Sequence, residues 1–289
     1  MKPSAFTEFS DRKNSHFLRL LLFVFASAVL AACGDDNNSP SAPREELPPI
    51  DIAALDLKFV WVEAGEFTMG SPAAEEGRKD DEGPQHQVTL EKGFWIGQFE
   101  LTQAQWEKAM GTRPWEGQDF VQSHPDHPAV YISWQDTQAL IQRLNEAADA
   151  PIYTMPTEAE WEYACRAGTQ TAWTFGDQVD QLDEYAWYEG NAWSADLQYA
   201  QAVGSKAPNA WGLYDCYGNV WEWVFDYYGP YEGVDRINPI GPTSGSFRVI
   251  RGGSFFYFSQ DTRSATRYYD QPSQGDSNVG VRLVRFEIE

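Results

Sequence analysis

The first apolar segments beyond the N-terminal region are short and are separated by polar residues and glycine. Residues 59–62 and 65–70 are rich in aromatic and other strand-forming side chains, and only two residues separate them, which predicts two strands joined by a turn. Residues 87–90 and 94–97 have the same short pattern of strand-forming side chains. We therefore expect four short strands before the first helix.

Helix start signals interrupt this pattern at three places. Thr157 is followed three residues later by Glu160, which is the spacing of a capping box. Beyond Gly168 the chain is punctuated by Gly, Pro, Asn and Asp, which predicts short strands and loops. The predicted helices cover residues 103–110 after the cap Thr102, run from Ser133 or Asp136 to Ala147, and begin at Thr157.

The N-terminal residues 1–32 have the pattern of an export signal. Basic residues precede an apolar run over residues 20–32 that is too short to span a membrane comfortably. The run ends in Leu-Ala-Ala before Cys33 and resembles the bacterial lipobox, in which that cysteine carries lipid. Residues 1–32 are then a lipoprotein signal peptide, the alternative being an ordinary cysteine after a signal peptide. By resemblance to lipoprotein sorting, Gly34 favours the outer membrane, on its periplasmic or surface face.

Residues 33–55 are predicted to form a disordered tether behind the lipid anchor. They are polar, contain several prolines and lack the apolar side chains that a core requires. Residues 56–289 contain no second linker, internal repeat or low-complexity block, which predicts one domain. No later stretch has the composition of a transmembrane helix, so membrane contact is expected through lipid alone.

The charge balance restricts the possible partners. Among 289 residues there are 43 Asp and Glu against 21 Lys and Arg, a formal net charge of −22. Such a chain repels phosphate backbones, which excludes nucleic-acid binding through a basic surface. It attracts cations, so a calcium site is worth considering.

Cysteine usage leaves two possibilities open. If Cys33 is lipidated, Cys165 and Cys216 remain. In an oxidising compartment they could form one disulfide, and two buried free thiols are equally compatible with the sequence.

A series of motifs covers nearly all of residues 59–285. The series resembles the formylglycine-generating enzyme family, the sulfatase-modifying factor domain. This resemblance implies an α+β, C-type-lectin-like fold that is loop-rich and low in regular secondary structure. The motifs, in family order, are Phe67-Thr68-Met69-Gly70-Ser71, Glu100-Leu101-Thr102, residues 128–134, residues 155–164, residues 209–215, Gly218-Asn219-Val220-Trp221-Glu222-Trp223, Arg251-Gly252-Gly253-Ser254-Phe255 and Gly280-Val281-Arg282.

The resemblance also implies that the family's oxidase chemistry is missing. Active members are similar to copper oxidases that hold the metal between two cysteines, because soft thiolates suit Cu(I). Alignment on residues 263–267 places those cysteines at Ser259 and Ser264, neither of which supplies a thiolate. We therefore expect no copper and assign no catalytic residue. A periplasmic branch of the family that acts in siderophore maturation also lacks the cysteine pair, which keeps a cysteine-independent enzyme open.

A structural calcium ion is the cofactor that the resemblance implies. Two side-chain oxygens and two backbone carbonyls would supply the oxygen ligands that this hard cation prefers. The alternative is that Asp215 caps a turn and that Glu222 pairs with an arginine such as Arg251. The expected ligands are Asp215, Gly218, Val220 and Glu222, and a weaker second site would involve Asn191 and Asp196.

The C-terminal loops have the composition of a binding surface. They are rich in Tyr, Phe, Ser, Asp and Gly, as antibody binding sites are. Trp221 and Trp223 flank Glu222, and in an extended stretch we expect them to point to opposite faces, one in the core and the other under a surface pocket. The alternative for these rings is simple core packing, and for the nearby arginines we expect structural ion pairs. The candidate ligand-binding residues are Trp221, Phe256, Tyr257, Phe258, Tyr268, Tyr269 and Asp270.

Three functions are compatible with these residues and motifs. The preferred one is an envelope lipoprotein, monomeric, that binds a protein, peptide or glycan ligand. The same C-terminal location is variable in lectin-fold display proteins diversified by retroelements, which is one form that this function could take. The alternatives are a cysteine-independent oxidoreductase or maturation enzyme, and a structural component of an envelope complex.

Overall fold

Three small sheets provide the framework of residues 48–287, which are the residues that this computed structural model describes. The predicted signal peptide, Cys33 and most of the predicted tether lie outside this range. The strands are β1 Phe59–Val62, β2 Gly65–Met69, β3 His86–Leu90, β4 Phe94–Gly97, β5 Tyr153–Thr154, β6 Trp221–Tyr227, β7 Arg236–Ile237, β8 Arg248–Arg251, β9 Arg267–Asp270, β10 Val279–Val281 and β11 Val284–Arg285.

The sheets are joined mainly by contacts between distant parts of the sequence. One sheet has the order β1-β4-β11-β5, a second has the order β10-β6-β8-β9, and a third has the order β2-β3-β7. In the second sheet β10 lies parallel to β6, with Gly280 opposite Glu222, and β8 lies antiparallel to β6. The C-terminal segment therefore contributes strands to two sheets and fixes β6 between two neighbours.

The helices begin where the sequence predicts. The side chains of Thr102, Ser133 and Thr157 each accept a hydrogen bond from a backbone N–H three residues later, and each closes a capping box. The second helix begins after Ser133 and not at Asp136. The short fourth helix lies in the region where only strands and loops were predicted. The helices are α1 Gln103–Met110, α2 Trp134–Ala148, α3 Glu158–Arg166 and α4 Leu182–Tyr185.

The core extends further toward the N-terminus than the predicted boundary at residue 56. Leu55 is buried in the core, and Ile50 and Ile52 pack against it. The Lys108 ammonium group donates a hydrogen bond to the Ala54 carbonyl at 2.5 Å. The predicted tether therefore ends before residue 50, because its last apolar residues are used in the core.

The expectation that Trp221 and Trp223 point to opposite faces, with only one of them in the core, is wrong. Both rings are buried, at 1% and 0% exposure, and both belong to one core cluster. Residues two apart in a strand point to the same face, so the two rings of β6 lie together and Glu222 points to the other side.

Buried arginines pair with glutamates, as expected. Glu162 is the most connected of these glutamates: it accepts hydrogen bonds from Arg166, from Arg251 and from the Gly70 backbone N–H. Burying these charges is tolerated only because each has a partner of opposite sign. The other pairs are Arg263 with Glu82 and Glu75, Arg267 with Glu158, and Arg282 with Glu222.

Among the described residues, no helix combines the length and the apolar content needed to cross a bilayer.

Glu162→Gln tests the buried network. Glutamine keeps the shape of the side chain but removes its charge, which leaves the guanidinium groups of Arg166 and Arg251 buried beside an uncharged amide. We expect the free energy of unfolding to fall by about 3 kcal/mol, measured by urea unfolding followed by tryptophan fluorescence. In the control Glu107→Gln, an exposed pair with Arg113 is lost, and we expect the free energy of unfolding to change little. Similar small losses in both variants would contradict the account.

Candidate functional site

The two serines at the predicted cysteine positions have different environments. Ser259 is half-buried at the start of a short 3-10 turn and lines an open cavity of about 570 Å³. Ser264 is fully buried; its backbone N–H donates to the Ala172 carbonyl, and its own carbonyl accepts from Arg251. Neither residue can supply a thiolate, and the cysteines of the described residues, Cys165 and Cys216, are buried in the core.

The candidate ligand-binding residues form a continuous row of rings, which we call the aromatic band. The Trp221 ring lies 5.2 Å from that of Tyr257 and 5.7 Å from that of Tyr268. Phe256 contacts Tyr257 on one side, and Tyr269 stacks on Tyr268 on the other. The structure therefore brings together five of the seven predicted residues: Trp221, Phe256, Tyr257, Tyr268 and Tyr269.

The band extends beyond the predicted residues and reaches solvent at its ends. Trp193 contacts Phe256 at 4.5 Å, and Phe247 contacts Tyr269 at 5.0 Å. Tyr269 is 38% exposed, whereas Trp221 is buried beneath the other rings of the band. No local signal in the sequence points to Trp193 or Phe247, because both lie outside the C-terminal loops along the chain.

Phe258 and Asp270 complete the predicted set. Phe258 is 43% exposed, and it makes no ring contact with the aromatic band as far as the described residues show. Asp270 ends β9 beside Tyr269, and one of its carboxylate oxygens accepts a hydrogen bond from the Gln271 N–H.

The Trp221 indole contains a polar group without a protein partner. Its Nε1–H is buried and has no hydrogen-bond partner among the described residues. The Trp223 indole, by contrast, donates to the Ile132 carbonyl at 3.0 Å. Buried donors are nearly always satisfied, so the Trp221 N–H is an exception in this region of the protein.

The predicted calcium loop is built around two residues with special backbone requirements. Asp215 adopts a left-handed conformation, with φ of 62°. A Cβ atom at Gly218 would lie 2.1 Å from the Trp187 carbonyl oxygen, so only glycine fits there. Asp215 Oδ2 accepts from the Gly204 N–H at 2.7 Å, whereas its buried Oδ1 has no hydrogen-bond partner in the part of the chain that the structure describes.

Glu222, the second predicted carboxylate ligand, is paired within the protein. Both its oxygens accept from the Arg282 guanidinium, and Oε2 also accepts from the Trp161 indole at 2.7 Å. The alternative in which Glu222 pairs with an arginine is therefore the one that the structure shows. The partner is Arg282 and not Arg251.

Glu100 is a third buried acid in this region, and it was not among the predicted ligands. It accepts from the Asn219 side chain at 2.6 Å and from the Val220 N–H at 3.1 Å. Burial, followed by repulsion from Asp215 and Glu222, raises its pKa well above the ordinary value. Burial likewise raises the pKa of Asp215 to about 6. No local motif links Glu100 to this loop, because β4 and the following turn bring it there from a distant part of the chain.

The residues present fit a cation only in part. The buried carboxylates of Glu100, Asp215 and Glu222 share this region with the guanidinium of Arg282, and Asp215 Oδ1 is free to bind an ion. Glu222, however, already has its oxygens occupied. No group of three or more His, Cys, Asp or Glu side chains within residues 48–287 has the geometry of a metal site. The predicted calcium ligands are the carboxylates of Asp215 and Glu222 and the backbone carbonyls of Gly218 and Val220. Of the two carboxylates, only that of Asp215 has an oxygen available.

The weaker second site has even fewer available oxygens. The Asn191 Oδ1 atom accepts from the Tyr188 N–H, and its amide group donates to the Ala186 carbonyl. These bonds hold a loop together and occupy the side chain. Asp196 is exposed at the end of a short 3-10 turn.

A separate cavity of about 430 Å³ lies against β6 and the loop that follows it. Asp226 lines this cavity, and its carboxylate accepts from the Glu158 N–H at 2.8 Å. Burial, together with the nearby Glu158 carboxylate, raises the pKa of Asp226 to about 8. An uncharged carboxylic acid near neutral pH is a group that can donate a proton or a hydrogen bond.

The fold and the motifs agree with comparisons to known proteins. The chain belongs to the sulfatase-modifying factor enzyme 1-like domain family, whose model matches residues 53–287. It is 29% identical to the formylglycine-generating enzyme of Mus musculus, over 87% of this chain and 81% of that protein.

Two solved structures are similar to this fold. Treponema denticola variable protein 1 gives a TM-score of 0.70 at 25% identity and covers 79% of this chain and 95% of its own. PvdO from Pseudomonas aeruginosa gives a TM-score of 0.68 at 31% identity and covers 79% of this chain and 94% of its own. The predicted α+β, loop-rich fold of this family is confirmed.

Asp226 makes stability depend on pH. Because its pKa is raised in the folded state, the folded protein retains a proton that the unfolded chain releases near pH 4, so stability is lost as the pH rises toward 8. Asp226→Asn mimics the protonated acid. We compare the free energy of unfolding of this variant with that of the unmodified protein. We expect the difference, in favour of the variant, to increase by roughly a few kcal/mol between pH 5 and pH 9.

Urea unfolding at the two pH values measures this difference. The control Asp180→Asn changes an exposed acid and is expected to give the same small difference at both pH values. A constant difference for Asp226→Asn would show that the carboxylate is already charged at pH 5.

Proposed function

We propose that this protein is a cell-envelope lipoprotein whose family domain binds a protein, peptide or glycan ligand through the aromatic band. The domain acts as a monomer and without cysteine-bound copper. Cys33, which lies outside the described residues, provides the lipid anchor. The observation that carries the proposal is the unsatisfied Trp221 N–H beneath a row of rings that reaches solvent at Tyr269.

The chemistry of the band supports binding. Aromatic rings supply large contact areas at low entropic cost, and tyrosines also offer hydroxyl groups for hydrogen bonds. The Trp221 indole donor lies under these rings, so it adds a directional contact once a ligand displaces them and brings an acceptor oxygen to it. Peptides and glycans both provide such oxygens. One solved relative is named a variable protein, which is compatible with a surface that changes its ligand by changing its side chains.

Trp221→Phe tests the contribution of the indole to binding. Phenylalanine keeps a ring in the core and removes a donor that has no partner among the described residues, but it is smaller than the indole and leaves a cavity, so we expect a moderate fall in the melting temperature. Ligands would be sought with a printed glycan array and a phage-displayed peptide library, and hits titrated by calorimetry. We expect about tenfold weaker binding in Trp221→Phe, and a similar loss in Tyr269→Ala.

Two variants serve as controls. Trp223→Phe removes a donor that is satisfied by Ile132, so it should lower stability without a specific loss of binding. Trp61→Ala removes an exposed ring outside the band and should bind normally. The proposal would fail if neither library gave a hit, or if hits bound Trp221→Phe and Tyr269→Ala as tightly as the unmodified protein.

We also propose that a calcium ion neutralises the acids around Asp215. The surplus of buried carboxylates over Arg282 and the free Oδ1 atom of Asp215 support this assignment. Removal of calcium with EDTA should lower the melting temperature by several degrees, and calcium should restore it. Equal melting in EDTA and in calcium would contradict the assignment.

Asp215→Asn distinguishes a cation from a proton at this position. If calcium binds, the variant loses a ligand charge and responds more weakly to calcium. If the acids instead remain partly protonated without an ion, removal of one carboxylate relieves repulsion, and the variant is more stable than the unmodified protein in EDTA and in calcium alike.

A cysteine-independent enzyme of the same family is the second candidate. The cavity beside Asp226 favours it, because a carboxyl group that is uncharged near neutral pH suits a general acid. Mass spectrometry of a recovered ligand tests this candidate. A chemical change that Asp226→Asn abolishes, while binding persists, would replace the binding function with an enzymatic one.

A further inference from the structure

Cys165 and Cys216 lie against each other in the core, and in this structure both are free thiols. Cys165 is in the last turn of α3, and Cys216 is in the loop before β6. The Cys165 sulfur is 3.8 Å from the Cys216 carbonyl oxygen, and both residues belong to the same core cluster. A hydrogen bond between the two thiols, together with burial, raises the pKa of Cys216 well above the ordinary value.

Burial alone does not force the contact between the two cysteines. Both residues are buried, and a buried residue touches only about ten of the others. The pair is also separated by 51 positions in the sequence, so chain connectivity does not force the contact. The proximity therefore favours a chemical relationship between the two sulfur atoms.

The geometry points to a disulfide that forms between the free thiols of Cys165 and Cys216 as a covalent modification of this domain. The two thiols lose two protons and two electrons as one S–S bond forms. The oxidant is a disulfide, either of a protein oxidoreductase or of oxidised glutathione, which is reduced to two thiols. The bond forms while the chain folds, because both sulfur atoms are inaccessible once the core has closed.

The bond would connect α3 to the loop that contains Asp215 and Gly218. That loop has little regular structure of its own, and a cross-link across 51 positions restricts the unfolded chain strongly. The disulfide would therefore stabilise the domain and hold the loop in place. This inference rests on the proposed location in the oxidising cell envelope, where disulfides persist, and it does not rest on the proposed ligand.

Alkylation and mass spectrometry test the bond directly. The full chain is unfolded in urea, refolded with reduced and oxidised glutathione, and then denatured in iodoacetamide without reductant. We expect a peptide pair containing Cys165 and Cys216 that separates only after reduction. Alkylation of both cysteines without reduction would overturn the inference, as would a reduced pair holding a metal ion in the native mass spectrum.

Thermal unfolding tests the effect of the bond. Dithiothreitol should lower the melting temperature of the oxidised protein by at least several degrees, and it should leave Cys216→Ser unchanged. Cys165→Ser is a second variant that should also lose the response. An equal response to dithiothreitol in the unmodified protein and in both variants would contradict a stabilising bond between these residues.

Discussion

Pairing of buried arginines with glutamates is the constraint on which the rest of this structure depends. An ionised side chain without a partner in the core costs several kcal/mol, so each of the arginines in these pairs has to meet its carboxylate when the chain folds. The partners are distant in sequence: Arg251 is 89 residues from Glu162, and Arg263 is 181 residues from Glu82. These pairs hold together a domain whose strands are too short to define it by hydrogen bonding alone.

Strand β6 connects this network to both candidate sites. Glu222 points to one side of the strand, where it binds Arg282 and lies among the acids around Asp215. Trp221 points to the other side, beneath the aromatic band. Since β6 lies between β8 and β10, the acids around Asp215 and the aromatic band share one support. A change at either site is therefore constrained by the same ion pairs.

The sequence predicted features with local causes and missed those that depend on tertiary contacts. The caps at Thr102 and Thr157 and the four early strands were correct, because capping and alternation are properties of a few neighbouring residues. Glu100 and Trp193 were missed because distant strands and loops bring them to their sites. The arrangement of Trp221 and Trp223 was misjudged, although the period of a strand already places both on one face.

The proposed function requires that this scaffold binds a ligand and does not perform the copper-dependent oxidation that the family resemblance implies for members with the cysteine pair. Aerobic incubation of the copper-loaded protein with a sulfatase Cys-x-Pro-x-Arg peptide tests it most directly, because Ser259 and Ser264 cannot supply thiolate ligands. The account predicts that mass spectrometry will find no aldehyde above the level of a copper-only control. Aldehyde formation that depends on the protein would contradict it.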